Sequence, residues 1–191
     1  ATSWLRGPQA FVDGLCRSLA MPVDHVVVVN LRGFVTLVDA VGGVDVTLEH
    51  PLRDEHAHID LPAGTQRLDG RTALGFVRSR QGEILVDGTW TADPEGAAGR
   101  QRRGGEVFRA LQGRLPRNPV TLYSLAWRTL PETSLSDGTS LLDLAGFRDL
   151  PGDFARIPVE GGRDADDWVA TVNDQTRAAL AETGLAGGCS V

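Results

Sequence analysis

Ten arginines stand between Arg67 and Arg117, against six acids: Asp69, Glu83, Asp87, Asp93, Glu95 and Glu106. The stretch carries a surplus of four positive charges in a chain of formal charge −6, which leaves the rest at −10. A basic island in an acidic protein points to a bound anion, and planar guanidinium forks suit phosphate oxygens two at a time. Arg78 lies in the last turn of a predicted helix and Arg80 just past it, while Arg100 and Arg103 open the next helix. Cations in a last helical turn also answer the macrodipole on their own account, worth about 0.3–1 kcal/mol. At a helix start the rule reverses, because the free backbone N–H groups there prefer an anion. Two arginine-bearing helix ends could therefore converge on one negative ligand.

Other side chains carry less. His25 reads as a packed strand histidine, although a ligand or a base has the same residue type. His56 and His58 lack the third ligand that a metal site would need, so they read as surface groups. Asp39 is open between a catalytic carboxylate and a hydrogen-bonded helix residue. Trp90 is open between a contact residue and a pin for its loop.

All nineteen basic residues are arginine. The identity of any one is thus uninformative, and only its position counts. The 191 residues, 41% hydrophobic and 23% charged, suit one globular domain with a real core. The acidic balance argues against nucleic acid as a partner, and no helix-turn-helix with a basic recognition helix is visible. No run approaches the roughly 18 apolar residues that span a bilayer, and no signal peptide is evident. Cys16 and Cys189 could pair in an exported protein and would stay reduced in the cytosol.

The elements that must position the arginines follow from periodicity. Helices are predicted over 8–20, 33–41, 70–78, 99–115, 120–130, 140–150 and 164–183. The unbroken β-branched run Val26–Val29 predicts a strand over Val23–Leu31 covered on both faces. Val44–Leu48 alternates as a half-exposed strand, and Phe154–Val159 is a late one. Residues 50–58 read as a polar loop. Ile59–Leu68 reads as a hairpin turning at Pro62-Ala63-Gly64. Gln81–Ala98 reads as a long polar loop of the kind used for lids. Asp69 is the expected N-cap of the helix bearing Arg78, with Leu74 and Val77 on its buried face. The expected fold is α/β, a central mixed sheet with helices on both faces. Residues 1–183 form one domain in this reading, and 184–191 a flexible tail.

The segments HVVVVNLRGFVTLVDAVGGVDV (25–46), LPAGTQRLDGRTALGFVRSR (61–80) and GRQRRGGEVFRAL (99–111) resemble the LytR–CpsA–Psr domain. LPETSLSDGTSLLDLAGF extends the likeness weakly. The likeness runs from about Gly7 to Val159, and the order and spacing of its pieces make it specific. The resemblance implies an extracytoplasmic, membrane-anchored enzyme that moves a glycopolymer from a polyprenyl diphosphate carrier to peptidoglycan. Teichoic acid, capsule and arabinogalactan are such polymers. It implies an apolar tunnel for the prenyl chain, and arginines with Mg²⁺ on the diphosphate. Arg78 and Arg80 match the family's VR-x-R pair, Arg100 the Arg of its G-R, and Arg103 the Arg of its R-Q.

The sequence departs from the pattern in three places. Gly104 replaces the Gln after Arg103, and Ala97 or Ala98 replaces an acid before Gly99-Arg100. The family's N-terminal segment, with two metal-binding aspartates and a further arginine, has no counterpart. The resemblance therefore puts the magnesium ligands and the membrane anchor outside this chain. No catalytic base is assigned. The departures keep a second function in view, a non-catalytic module that binds polyprenyl phosphate.

Overall fold

A computed structural model describes residues 7–23, 26–129, 131, 133–135, 146, 160–164, 167–171, 173–182 and 189. The chain divides into two compact units, one of Val27–Gly152 and one of Ala1–Val26 with Asp153–Val191.

In the larger unit, β1 (Val27–Val29) pairs antiparallel with β8 (Thr133–Leu135), Val28 opposite Ser134. The expected strand over Val23–Leu31 is therefore shorter, and it is not covered on both faces, since Val29 is 40% exposed. Asn30 decides its end. Its side chain accepts from Gly33 N at 2.8 Å and caps α2 (Leu31–Ala40), so the chain turns helical two residues earlier than predicted. Gly42 and Gly43 end α2. β2 (Val44–Leu48) then alternates as expected, with Val44, Val46 and Leu48 buried and Asp45 and Thr47 exposed.

The polar loop expected over 50–58 contains β3 (Leu52–Asp54). The hairpin expected over 59–68 does not form. β4 (Ile59–Leu61) pairs with β3, whereas β5 (Gly64–Leu68) pairs with β2 in a different sheet. The turn residues are suited to a hairpin, but partner choice follows burial. Leu61 lies opposite Leu52 and Leu68 opposite Val44, and all four are buried.

The long polar loop expected over 81–98 is largely another hairpin, β6 (Glu83–Val86) and β7 (Thr89–Ala92). Asp87 and Gly88 turn it with φ of 50° and 78°, both left-handed, as a two-residue type I′ turn requires. The sheet order is β4-β3-β6-β7, and every strand pairing among the described residues is antiparallel. Trp90 is half-buried, with the Arg53 guanidinium 4.1 Å from its ring centre.

Three further helices of the unit are described in full. α3 (Gly70–Arg78) buries Ala73 and Phe76. Leu74 and Val77, expected on the buried face, are only partly covered. α4 (Gly96–Arg114) begins three residues before Gly99 and turns Val107 into the core. α5 (Pro119–Thr129) buries Leu125 and leaves Val120, Tyr123 and Trp127 exposed. Val38, Val46, Leu68, Ala73, Phe76 and Val107 meet in one cluster, which ties α2, α3 and α4 to the sheets. Helices and sheets together give the α/β class the sequence predicts, but the described strands form separate antiparallel sheets rather than the one central mixed sheet expected.

The smaller unit holds α1 (Pro8–Leu19), the antiparallel hairpin β9 (Glu160–Asp164) and β10 (Asp167–Thr171), and α6 (Asp174–Glu182). A single helix over 164–183 is thus wrong in its first half. Trp168, Val169 and Thr171 are aromatic or β-branched and suit a strand, and so short an apolar run has no decisive period. Asn173 starts α6 by accepting from Thr176 N at 2.8 Å. Cys16 and Cys189 form a disulfide with Cα atoms 5.7 Å apart. The predicted elements at 140–150, apart from Gly146, which is helical, and at 154–159, and the tail apart from Cys189, lie outside the described residues. No described helix is long and apolar enough to cross a membrane.

Candidate anion site between two helix ends

The site is built on α3, and α3 is fixed at its start by three motif residues. Asp69 Oδ1 accepts from Thr72 N at 2.8 Å, the N-cap predicted. Asp39, on α2, accepts from Gly70 N at 2.7 Å and so pins the first turn. Gly70 packs on the α2 backbone, where a Cβ would stand 2.3 Å from the Val35 carbonyl oxygen. The aspartate of VDAVGG and the glycine of LDG are therefore two halves of one helix–helix contact.

At the far end of α3 the chain leaves the helix at Ser79 (φ −55°, ψ 126°). Ser79 is fully buried, and each of its polar groups is engaged. Its N–H donates to Gly75 O at 2.9 Å. Its hydroxyl donates to Asp54 Oδ2 at 2.8 Å. Its carbonyl accepts from Arg103 Nη2 at 2.8 Å. The next two amides, of Arg80 and Gln81, also donate to Asp54 Oδ2, each at 3.2 Å, and Ala57 N donates to Oδ1 at 3.0 Å. Burial alone would raise the Asp54 pKa; the Ser79 hydroxyl and the three amides outweigh it and hold it below the ordinary 3.8.

Arg103 reaches Ser79 from α4. It is 2% exposed, and its Nη1 pairs with Asp93 Oδ2 at 2.8 Å. The guanidinium lies 5.9 Å from the centre of the Phe76 ring, and its Nε is buried without a hydrogen-bond partner. Asp93 in turn starts α4, accepting from Glu95 N at 2.9 Å, and its own N–H donates to Gly82 O at 2.8 Å. One bond, Arg103 to the Ser79 carbonyl, thus ties the first turns of α4 to the last of α3.

Four of the ten arginines of the basic island are held by carboxylates. Arg67 and Arg114 both pair with Asp45, and they pull its exposed carboxyl down to about 2. Arg102 pairs with Glu95 at 2.9 Å and Glu106 at 3.6 Å, and Arg103 is buried as described. Arg78, Arg80 and Arg100 are exposed, and among the described residues their guanidinium groups have no ion-pair or hydrogen-bond partner. Arg78 and Arg80 flank Ser79, and Arg100 lies one turn before Arg103. Because α4 starts at Gly96, its first-turn amides precede Arg100, and two of them are already bonded, Gly96 N to Asp93 O and Gly99 N to Glu95 O, each at 3.1 Å.

Asp54 and Asp93 were not singled out in the sequence. Asp54 sat in a stretch taken for loop. Asp93-Pro94-Glu95 did carry a signal, since an aspartate can bond the backbone two residues on in an Asx turn, here at the N-cap Glu95. His56 and His58 are exposed in the β3–β4 turn, and His25 lies outside the described residues. Among the described residues no three His, Cys, Asp or Glu side chains stand close enough to share a metal ion. The described residues therefore do not by themselves form a magnesium site.

The family model for the LytR_cpsA_psr family matches residues 1–124. The chain belongs to that family. Among LytR_cpsA_psr-type relatives, the cell wall biosynthesis protein LcpA of Corynebacterium glutamicum is 30% identical over 87% of this chain and 33% of its own length. A polyisoprenyl-teichoic acid–peptidoglycan teichoic acid transferase, TagU of Bacillus mycoides, is 37% identical over 49% of this chain and 27% of its own. The chain spans about a third of the length of the curated relatives it matches. The structure of a LytR-Csp2A-Psr enzyme from Actinomyces oris superposes with a TM-score of 0.78 at 32% identity, covering 97% of this chain and 73% of that one.

Proposed function

We propose that this chain forms part of a cell-wall glycopolymer phosphotransferase, with Arg78, Arg80 and Arg100 taking the diphosphate of a polyprenyl-linked glycopolymer. The acceptor is peptidoglycan, and the full-length protein works outside the cytoplasm, held at the membrane by an anchor beyond this chain. The observation that carries the reading is the bond from Arg103 to the Ser79 carbonyl. It links the end of α3, where Arg78 and Arg80 flank Ser79, to the early turns of α4, which carry Arg100, and that link supports the reading. The names of the relatives supply the polymer and the acceptor. Phosphoryl transfer is largely positioning and charge stabilisation, which suits a fixed arginine cluster. Magnesium and an apolar tunnel for the prenyl chain belong to this proposal only through the family resemblance.

Arg80→Ala and Arg100→Ala should each weaken binding of a polyprenyl diphosphate by roughly 1.5–3 kcal/mol, as for charge-assisted bonds, with little change in thermal unfolding. Normal binding by either variant would reduce that residue to a helix-end cation. A transfer assay with lipid-linked polymer, peptidoglycan and Mg²⁺ tests the activity. Gly104, where the family pattern has Gln, favours a second reading of binding without turnover. Tight binding with no transfer by the full-length protein would decide for it.

A further inference from the structure

We propose that Asp54 and Arg103 are positioning residues for this anion site, and that Arg103 is not one of its ligands. The inference rests on the reading of Arg78, Arg80 and Arg100 as diphosphate-binding groups. Arg103 shares their residue type and lies one turn from Arg100, but its surroundings are opposite. It is 2% exposed and has committed one nitrogen to Asp93 and another to the Ser79 carbonyl. Turning it toward an external anion would strand the 7%-exposed carboxylate of Asp93, a costly state for a buried charge.

What Arg103 and Asp54 hold is the Ser79 peptide, from two directions. Arg103 takes its carbonyl, and Asp54 takes its hydroxyl and the two amides that follow. Ser79 is extended rather than helical, so Arg80 faces away from it as neighbours in extended backbone do, while Arg78 ends α3. With the Ser79 side chain locked inward, Arg80 is sent outward, and both arginines are exposed. The same Arg103 bond fixes how far the Arg100 turn stands from them. Preorganised guanidinium groups bind without first paying the ordering entropy of a free turn.

The test uses inorganic pyrophosphate as the probe, with binding followed by calorimetry and folding by thermal unfolding. Asp93→Asn separates the two roles of Arg103 by sign. If Arg103 were a ligand, Asp93→Asn would remove a competing carboxylate, and binding would tighten or stay unchanged. As a positioning residue it should lose its anchor, and binding should weaken by about tenfold. Asp54→Asn should weaken binding by a similar factor, and in an Arg80→Ala background its further effect should fall well below that seen alone, since residues acting through one another are not additive. Should Asp54→Asn fail to fold, Ser79→Ala removes only the hydroxyl bond; a smaller loss with the same non-additivity is then expected. Unchanged or tighter binding by Asp93→Asn, or full additivity with Arg80→Ala, overturns the inference. Unaltered pyrophosphate binding by the combined Arg78→Ala, Arg80→Ala variant overturns the underlying site instead.

Discussion

At the scale of the residue, Asp54 shows how a buried charge is kept in a small protein. It is 2% exposed, yet four donors surround its two oxygens. Its folded pKa lies below the ordinary 3.8, so the folded state prefers the ionised form more than the unfolded chain does. The stabilisation this brings is fully present above the unfolded value and is lost as pH falls through the folded one. Asp54→Asn should cost about 1–3 kcal/mol at neutral pH, through donors left without a charged acceptor. In urea unfolding the gap between wild type and variant should stay flat from neutral pH down to about 5 and close below the carboxyl range. A gap that persists unchanged at the lowest pH would show that the carboxylate charge is not what holds the turn. Asp45 has the larger depression, to about 2, but it lies on the surface between Arg67 and Arg114, where solvent screens the pairs.

At the scale of the element, α3 and α4 obtain their helicity in different ways. α3 is specified locally by the Asp69 cap and positioned by contact with α2. At Gly70 a Cβ would meet Val35 backbone at 2.3 Å, and backbone cannot yield as a side-chain tip can. Gly70→Ala should therefore destabilise by about 1–3 kcal/mol, the range for overpacking. α4 is long and interrupted by glycines, including Gly99, Gly104, Gly105 and Gly113. A Cβ at Gly104 meets nothing within 4 Å. Gly104→Ala should stabilise by about 0.5–1 kcal/mol through helix propensity and a less flexible unfolded chain. Chemical denaturation of the two variants should move in opposite directions; movement in the same direction would contradict the packing at α2–α3. The weak intrinsic helicity of α4 also explains why its placement leans on Asp93 and Arg103, at the end where the candidate ligands stand.

At the scale of the whole molecule, the disulfide joins positions 173 residues apart, within the smaller unit. Cross-linking so long a loop removes much unfolded-state entropy, and native disulfides are worth about 2–5 kcal/mol. Reduction, or Cys16→Ala with Cys189→Ala, should lower the unfolding midpoint accordingly. Absence of any shift between oxidised and reduced protein would mean that the bond constrains nothing that folding has not already ordered. A disulfide of this kind suits an oxidising compartment, in line with the extracytoplasmic function proposed. The charge balance belongs to this scale too. The positive island sits in a chain of net charge −6, and half-buried or surface acids pair with Arg67, Arg102 and Arg114, so its free positive charge is smaller than its arginine count suggests.

Local order was legible in the residues alone. Asp69 announced the start of α3, Gly42-Gly43 the end of α2, and the alternation of Val44–Leu48 a strand with one buried face, because caps, turns and periodicity act over a few residues. The family motifs were legible for the same reason, as short strings of fixed spacing. Pairing was not. Pro62-Ala63-Gly64 suggested a hairpin, yet β4 and β5 join different sheets, since what each strand buries lies elsewhere along the chain. Four arginines looked alike by type and spacing, and only the tertiary structure separated the buried Arg103 from the exposed Arg78, Arg80 and Arg100. A guanidinium becomes a structural tie or a free binding group according to the carboxylates and carbonyls that folding brings within hydrogen-bond reach, and Asp54, Ser79 and Asp93 come together from three separate stretches of the chain.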